Sequence, residues 1–156
     1  MRKKSAKKKI LLPDPRFGNT TVTRFVNNLM FDGKKTTAFK VFYTALENIA
    51  SKHEDTEPLV VFEKALENVM PHVEVRSKRI GGATFQIPHP VREDRRISLG
   101  MKWMIAAARN RNEKTMDAKL SAELMAAYKE EGSAYKKKQD THRMAEANKA
   151  FSHFRF

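Results

Sequence analysis

Apolar residues recur at helical spacing in the first half of the chain, and the breaks between the runs are clear. In the first run Val22, Phe25 and Leu29 fall at i, i+3 and i+7, as expected for one buried face of a helix. Two more runs repeat this spacing, with glycine or proline at the breaks between them. The pattern therefore predicts three amphipathic helices. They lie at residues 19–30, 37–52 and 58–70.

The apolar period changes from 3.6 to 2 in the middle of the chain. Apolar and polar residues alternate on both sides of Gly81-Gly82, within residues 73–88. Two consecutive glycines supply the positive φ angles that a two-residue hairpin turn needs, and this turn pairs Ile80 with Ala83. The sequence predicts a β-hairpin here.

Helical spacing returns after the hairpin and continues almost to the end of the chain. The last predicted helix is rich in alanine and lysine, so it has few large apolar residues to bury and gains little from packing. The predicted fold class is mainly α, a single domain of six helices with one protruding β-hairpin between helices three and four. Helices four to six are expected at residues 94–110, 115–131 and 133–150.

The two ends of the chain differ in composition from the helical domain predicted for residues 19–150. Residues 1–18 form a basic tail followed by an extended strap, and residues 151–156 form an aromatic, basic tail. Six cations and no acid lie in the first nine residues. Such a run repels itself and buries nothing until a polyanion neutralises it.

Composition narrows the class of partner. The chain has 156 residues, with 31 Lys and Arg against 18 Asp and Glu, and its formal charge of +13 favours a nucleic acid as the partner. It has no cysteine, which excludes disulfides, thiolate metal sites and cysteine nucleophiles. No apolar run approaches the roughly 18 residues that a membrane span requires. We expect a cytoplasmic protein with no membrane partner.

No group of residues in the sequence indicates an enzyme. None of the five histidines stands at a metal-ligand spacing, and the glycine-containing turns lack the spacing of a phosphate loop. A hydrolase would need an acid–base pair, for which only residues such as His142 and Glu146 could be tested. We therefore predict no catalytic residue, no metal and no cofactor.

Basic residues are interleaved with aromatic ones, as in proteins that contact phosphates and stack on unpaired bases. On the hairpin, one face combines Arg76 and Lys78 with Phe85. Trp103 and Tyr135 are either further stacking platforms or residues of the core. An architectural DNA-binding protein that inserts the hairpin into a minor groove is the alternative function.

Four ordered motifs in the chain agree with one known family. They are Asn19-Thr-Thr-Val-Thr-Arg-Phe-Val26 followed by Gly33-Lys34-Lys35, Val41-Phe42 and Ala45; the strap Leu12–Gly18; the hairpin Val73–Pro88; and the stretch His142–Phe151. From about Ile10 to Phe156 the chain resembles the bacterial small-subunit ribosomal protein seven family.

The resemblance implies a function as well as a fold. Members of this family are primary binders of the 3′ major domain of 16S ribosomal RNA, and they nucleate assembly of the head of the small subunit. They lie at the subunit interface near the exit-site tRNA and the mRNA path, beside ribosomal proteins nine and eleven. A homo-oligomer is not expected.

The predicted RNA contacts are basic residues of the tail, strap, hairpin and helices, with one methionine. They are Lys3, Lys4, Lys7, Lys8, Lys9, Arg16, Lys34, Lys35, Arg76, Lys78, Arg79, Arg95, Arg96, Lys102, Arg109, Arg111, Lys114, Met116, Lys136, Lys137 and Arg143. The hairpin tip expected to face tRNA and mRNA consists of Arg79, Ile80, Gly81, Gly82 and Ala83. Because Arg95, Lys102 and Arg109 repeat every seven residues away from the apolar face, their joint replacement by Ala is expected to weaken RNA binding and leave the fold intact.

Overall fold

A computed structural model describes residues 10–52 and 56–154. Within these ranges the chain forms six α-helices, one 3-10 helix and a two-stranded sheet. The elements are α1 (Thr20–Leu29), α2 (Lys35–Ala50), α3 (Pro58–Val69), β1 (Val73–Ile80), β2 (Ala83–Pro90), α4 (Glu93–Arg109), α5 (Met116–Tyr128), α6 (Gly132–Ala147) and the C-terminal 3-10 helix (Lys149–Phe154). The predicted fold class is confirmed, with the hairpin between the third and fourth helices.

Some helix boundaries carry a local sequence signal and others do not. The side-chain oxygen of Asn19 accepts the backbone N–H of Thr21 at 2.8 Å and caps α1. Pro58 occupies the first turn of α3, where its missing N–H costs nothing. In contrast, α2 begins at Lys35, two residues before the predicted start, without a side-chain cap. Thr115 stands at the N-cap of α5, yet its side chain makes no capping hydrogen bond.

The core is built around three phenylalanines and one central helix. Phe25 of α1, Phe42 of α2 and Phe62 of α3 are fully buried, and their ring centroids lie 5.1 to 5.5 Å apart. Helix α5 packs against α2, α3, α4 and α6, so the helices share one hydrophobic core. None of the helices in the described ranges has the length and apolar composition needed to cross a membrane.

The hairpin has the predicted register and is longer than predicted. Ile80 pairs with Ala83 across the turn, and the ladder continues to Val73 and Pro90, two residues beyond the expected end. Gly81 and Gly82 have φ angles of 55° and 91°, which only glycine adopts readily. Ile87 is fully buried at the base of the hairpin, whereas the residues of the turn are exposed.

The end of the chain differs from the prediction of one long basic helix and a separate tail. Helix α6 stops at Ala147, and the chain continues as the 3-10 helix, which packs against β2. The rings of Phe151 and Phe154 contact the ring of Phe85 on the hairpin. Apolar contact with the hairpin therefore turns this segment back onto the fold.

Candidate nucleic-acid interface

The tip of the hairpin is an exposed basic surface. Arg79 precedes the turn by two residues, is exposed, and makes no hydrogen bond or ion pair within the part of the chain that the structure describes. Lys78 is exposed beside it, and Gly81, Gly82 and Ala83 are open to solvent. A backbone without bulky side chains next to a free guanidinium lets a phosphate approach closely.

The base of the hairpin is held by a buried carboxylate. Glu74 on β1 is only 8% exposed, and its two oxygens accept Nε of Arg76 at 2.7 Å and Nε of Arg95 at 2.8 Å. Burial acts to raise the pKa of Glu74, but the hydrogen bonds from Arg95 and Arg76 outweigh it and lower the pKa below its ordinary value. Both arginines remain more than half exposed and can also reach a phosphate.

Arg96 ties helix α4 to the segment that leads into the hairpin. Its Nε donates to the backbone oxygen of Pro71 at 3.2 Å, and its Nη1 pairs with Glu93 at 2.5 Å. Its side chain is 19% exposed, much less than that of Arg95. Of the two neighbouring arginines, Arg95 is therefore the one that faces solvent.

Two lysines of helix α6 face solvent, and a third points toward the core. Lys136 and Lys137 are exposed, as is Arg143, which lies 3.9 Å from Asp140. Lys138 turns inward, and its Nζ donates to the backbone oxygen of Asn68 at the end of α3, at 2.8 Å. Burial lowers the pKa of Lys138. This lysine attaches α6 to the core.

Arg111 neutralises a buried acid between α4 and α5. Its Nη1 donates to Glu123, which is fully buried, at 2.8 Å, and its Nε donates to Glu113 at 3.0 Å. The other oxygen of Glu123 accepts the backbone N–H of Ala134 at 2.9 Å. Burial acts to lower the pKa of Arg111, but the hydrogen bonds to both carboxylates outweigh it and raise the pKa. This predicted RNA contact thus has a structural role.

A groove between α1, α2 and α4 combines an exposed aromatic ring with cations. Phe31 is 62% exposed, and the guanidinium of Arg109 lies 3.9 Å from its ring centroid. Arg109 also donates to the backbone oxygen of Leu29 at 3.2 Å. The adjoining cavity, of about 320 Å³, is largely apolar and is lined by Lys34 and Met116 among others. It has the chemistry of a site for a flat ring.

The strap is fastened to the helical domain through Asp14. This residue is 2% exposed, and its carboxylate accepts the backbone N–H groups of Arg16 and Phe17 and the hydroxyl of Tyr43. Burial, together with the bond to Asp14, raises the pKa of Tyr43 to about 12. The side chain of Arg16 pairs with Glu47 at 2.8 Å and is about half exposed.

Three of the remaining predicted RNA contacts are exposed lysines, and the others lie in the N-terminal tail. Lys102 on α4 and Lys114 before α5 are exposed and have no ion-pair partner among residues 10–52 and 56–154. Lys35 is exposed, with its Nζ 5.7 Å from the centroid of Phe39. The predicted contacts in the tail lie outside the described residues. They are Lys3, Lys4, Lys7, Lys8 and Lys9.

Contacts between distant elements bear on two expectations from the sequence. Replacing Arg95, Lys102 and Arg109 together would remove one of the two arginines that hold Glu74 and the cation on Phe31. Lys102 makes no such contact within the described residues. Trp103 and Tyr135 are both partly buried, and Trp103 packs against the core. The spacing of apolar residues carries no signal for the solvent exposure of Phe31, because an apolar residue beside a turn resembles a core residue.

A helical core that presents a basic hairpin and exposed cations on several elements is typical of proteins that bind structured RNA. The model of the family described as ribosomal protein S7p/S5e matches residues 1–149, and the chain belongs to this family. The small ribosomal subunit proteins uS7 of Flavobacterium psychrophilum and Flavobacterium johnsoniae are each 65% identical to it over the whole of both chains. That of Cytophaga hutchinsonii is 59% identical, also over the whole of both chains. The family resemblance noted in the sequence is confirmed.

Proposed function

We propose that this protein is a structural constituent of the small ribosomal subunit that binds the 3′ major domain of 16S rRNA and nucleates assembly of the head. One observation supports the proposal most strongly. Exposed cations without acidic partners in the described chain stand on the hairpin, α4, the loop before α5, and α6. They are Arg79, Lys102, Lys114, Lys136 and Lys137.

The mechanism is electrostatic attachment to folded RNA with no chemical turnover. Each cation that meets a phosphate releases a condensed counterion, which favours binding at low salt. If about ten phosphates are neutralised, the logarithm of the affinity falls against the logarithm of the salt concentration with a slope of roughly minus seven to minus nine. Small-subunit ribosomal location implies that the protein acts in the cytoplasm.

The groove at Phe31 adds a second kind of contact. An unpaired base can stack on the exposed ring while Arg109 and Lys34 neutralise the adjoining phosphates. Phe31→Ala removes the ring and is expected to weaken binding to the 3′ major domain by about 1–3 kcal/mol. Phe31→Trp should retain binding, because it keeps an aromatic face for the base.

The hairpin tip is proposed to face the exit-site tRNA and the mRNA path. Its exposed turn and Arg79 are suited to contact with a nucleic-acid backbone that passes by, rather than to a deep pocket. Ribosomal proteins nine and eleven are the proposed protein neighbours, the latter near the C-terminal segment. Chemical crosslinking within purified small subunits, read out by mass spectrometry, tests these neighbours directly.

A titration of a transcript of the 3′ major domain tests the electrostatic part. The joint change Lys136→Ala and Lys137→Ala should lower the magnitude of the salt slope by about two, since each substitution removes one phosphate contact. Lys64→Ala is the matched control, because Lys64 is exposed on α3 but pairs with Glu67 at 3.0 Å. A wild-type slope near zero would contradict the proposal.

A competition experiment distinguishes the proposed function from the alternative, an architectural DNA-binding protein. Labelled 3′ major domain RNA is challenged with unlabelled duplex DNA or unlabelled RNA at the same nucleotide concentration. We expect only the RNA to displace the complex efficiently. Co-sedimentation in a sucrose gradient gives an independent reading, since a ribosomal protein migrates with the small subunit in about one copy per particle.

A further inference from the structure

The C-terminal 3-10 helix covers the aromatic residue of the hairpin. The ring centroid of Phe85 lies 5.2 Å from that of Phe151 and 5.7 Å from that of Phe154. Aromatic pairs at these separations attract beyond simple burial. The ring that the sequence pattern placed among the candidates for stacking on RNA bases is thus in contact with the protein's own chain.

The hairpin needs such support because two strands alone are marginally stable in water. At its base, Nε2 of His142 on α6 accepts the backbone N–H of His72 at 3.1 Å, and Ile87 is buried. Between the base, α6 and the 3-10 helix, however, there is a cavity of about 290 Å³, lined by Val73 and Pro88 on the hairpin side. The base of the hairpin is therefore not packed continuously against its neighbours.

The aromatic contact lies closer to the tip than the hydrogen bond between His72 and α6. Phe85 pairs with Lys78 in the ladder and lies two residues beyond Ala83, where β2 begins. Arg79 and the turn project just past it and are exposed. A support at this position restricts the directions in which the tip can point.

We propose that the 3-10 helix is a brace that positions the hairpin for RNA, and that Phe151 and Phe154 are positioning residues for the tip. This inference rests on the proposed function. Binding through an unbraced tip would have to order the hairpin, and that entropy cost lowers affinity. Because the brace already orders the hairpin in the free protein, binding no longer carries this entropy cost. The two phenylalanines therefore strengthen RNA binding without touching RNA.

The first test measures the brace in the free, full-length protein by amide hydrogen exchange. In the Phe151→Ala and Phe154→Ala double variant, amides of residues 76–86 should exchange about tenfold faster, which is the effect expected from losing the two aromatic contacts to Phe85. Amides of α5 should be unchanged. Phe39→Ala is the matched control, because Phe39 stacks on Tyr43 in α2, which has no contact with the hairpin in the described chain. Unchanged exchange in the hairpin would overturn the proposal.

The second test is a double-mutant cycle in binding to the 3′ major domain transcript. If the brace acts through the tip, Arg79→Ala should weaken binding severalfold in the wild-type background and much less in the brace variant. Lys136→Ala, at the far end of α6, should have the same effect in both backgrounds. Phe151→Tyr with Phe154→Tyr should restore wild-type coupling, because the rings remain.

The outcomes separate this inference from the proposed function. If the wild-type protein does not bind the transcript, or Arg79→Ala has no effect in it, the proposed function of the tip fails. If Arg79→Ala has its effect but the effect is identical in the brace variant, the brace alone is wrong. Tighter binding by the brace variant would also overturn it, since the segment would then be competing with RNA for Phe85. The single change Phe154→Ala replaces the double variant if the latter does not fold.

Discussion

The helical core and the hairpin each contain a carboxylate shielded from water, but they neutralise it differently. In the core, Glu123 is fully buried, and its partner Arg111 is 30% exposed. In the hairpin, Glu74 keeps a small exposed fraction, and the two arginines that hold it are more than half exposed. The core therefore uses its cation internally, whereas the hairpin holds its acid with cations that still face solvent.

This difference shows that charge alone does not assign a role to a basic residue. Arg111 and Arg95 belong to the same basic composition and stand 16 positions apart in the chain. Removing Arg111 leaves the buried carboxylate of Glu123 without a cation, but removing Arg95 leaves Glu74 paired with Arg76. We expect changes in the core to act on stability and changes in the hairpin to act chiefly on RNA binding.

The largest expected effect is in the aromatic centre of the core. Phe62→Ala removes a fully buried ring that contacts Phe25 and Phe42, and it should lower the free energy of unfolding by about 3–5 kcal/mol. Phe85→Ala, in the half-buried aromatic contact of the hairpin, should have a clearly smaller effect. Urea unfolding followed by circular dichroism measures both. Equal losses would contradict the distinction between the two regions.

The next largest effect concerns the buried acid. Arg111→Ala leaves the carboxylate of Glu123 without its cation in a site closed to water, which should destabilise the fold by about 3 kcal/mol. Arg95→Ala should cost about 1 kcal/mol or less, because that arginine is half exposed and Arg76 remains. Thermal unfolding of both variants compares them. A larger loss for Arg95→Ala would reverse the assignment of roles.

A smaller effect is expected at the hairpin turn. Gly82 has a φ of 91°, so Gly82→Ala places a side chain in a conformation that costs about 1–2 kcal/mol, although nothing lies within 4 Å of the new Cβ. The strain should appear as faster hydrogen exchange in β1 and β2 while α5 stays protected. Thr84→Ala, two residues beyond the turn in the exposed part of β2, is the control and should change little.

The smallest effect is the pH dependence that His142 adds to stability. Burial, with smaller contributions from Lys138 and His72, lowers the pKa of His142 below its ordinary value of 6.5. On acidification the unfolded chain therefore takes up a proton before the folded one does. The stability from this group is complete above about pH 6.5 and is lost as the pH falls through the lowered value.

His142→Gln tests this pH dependence. The amide oxygen of glutamine can accept the backbone N–H of His72, but glutamine does not titrate. Melting temperatures measured between pH 7.5 and 5 should fall less steeply for the variant than for the wild-type protein. Parallel curves would show that His142 does not contribute.

Much of the fold could be predicted because its signals are local. The spacing of Val22, Phe25 and Leu29 is a property of one helix face, and the two glycines of the turn determine which residues pair across the hairpin. These features depend on neighbours within a few positions, so the chain contains all the information that they require. The candidate interface was harder to predict from the sequence, since the exposure of a side chain depends on what the rest of the fold covers.

The sequence by itself determined the six helices, the register of the hairpin and the excess of positive charge, because each follows from period or composition. Only the tertiary structure decided which cations remain open to solvent. It turned Lys138 inward to Asn68, placed Arg111 on the buried Glu123, and brought Phe85 against Phe151. Each of these pairs is separated by at least 12 positions, and burial between distant segments is a property of the assembled core that no local pattern encodes.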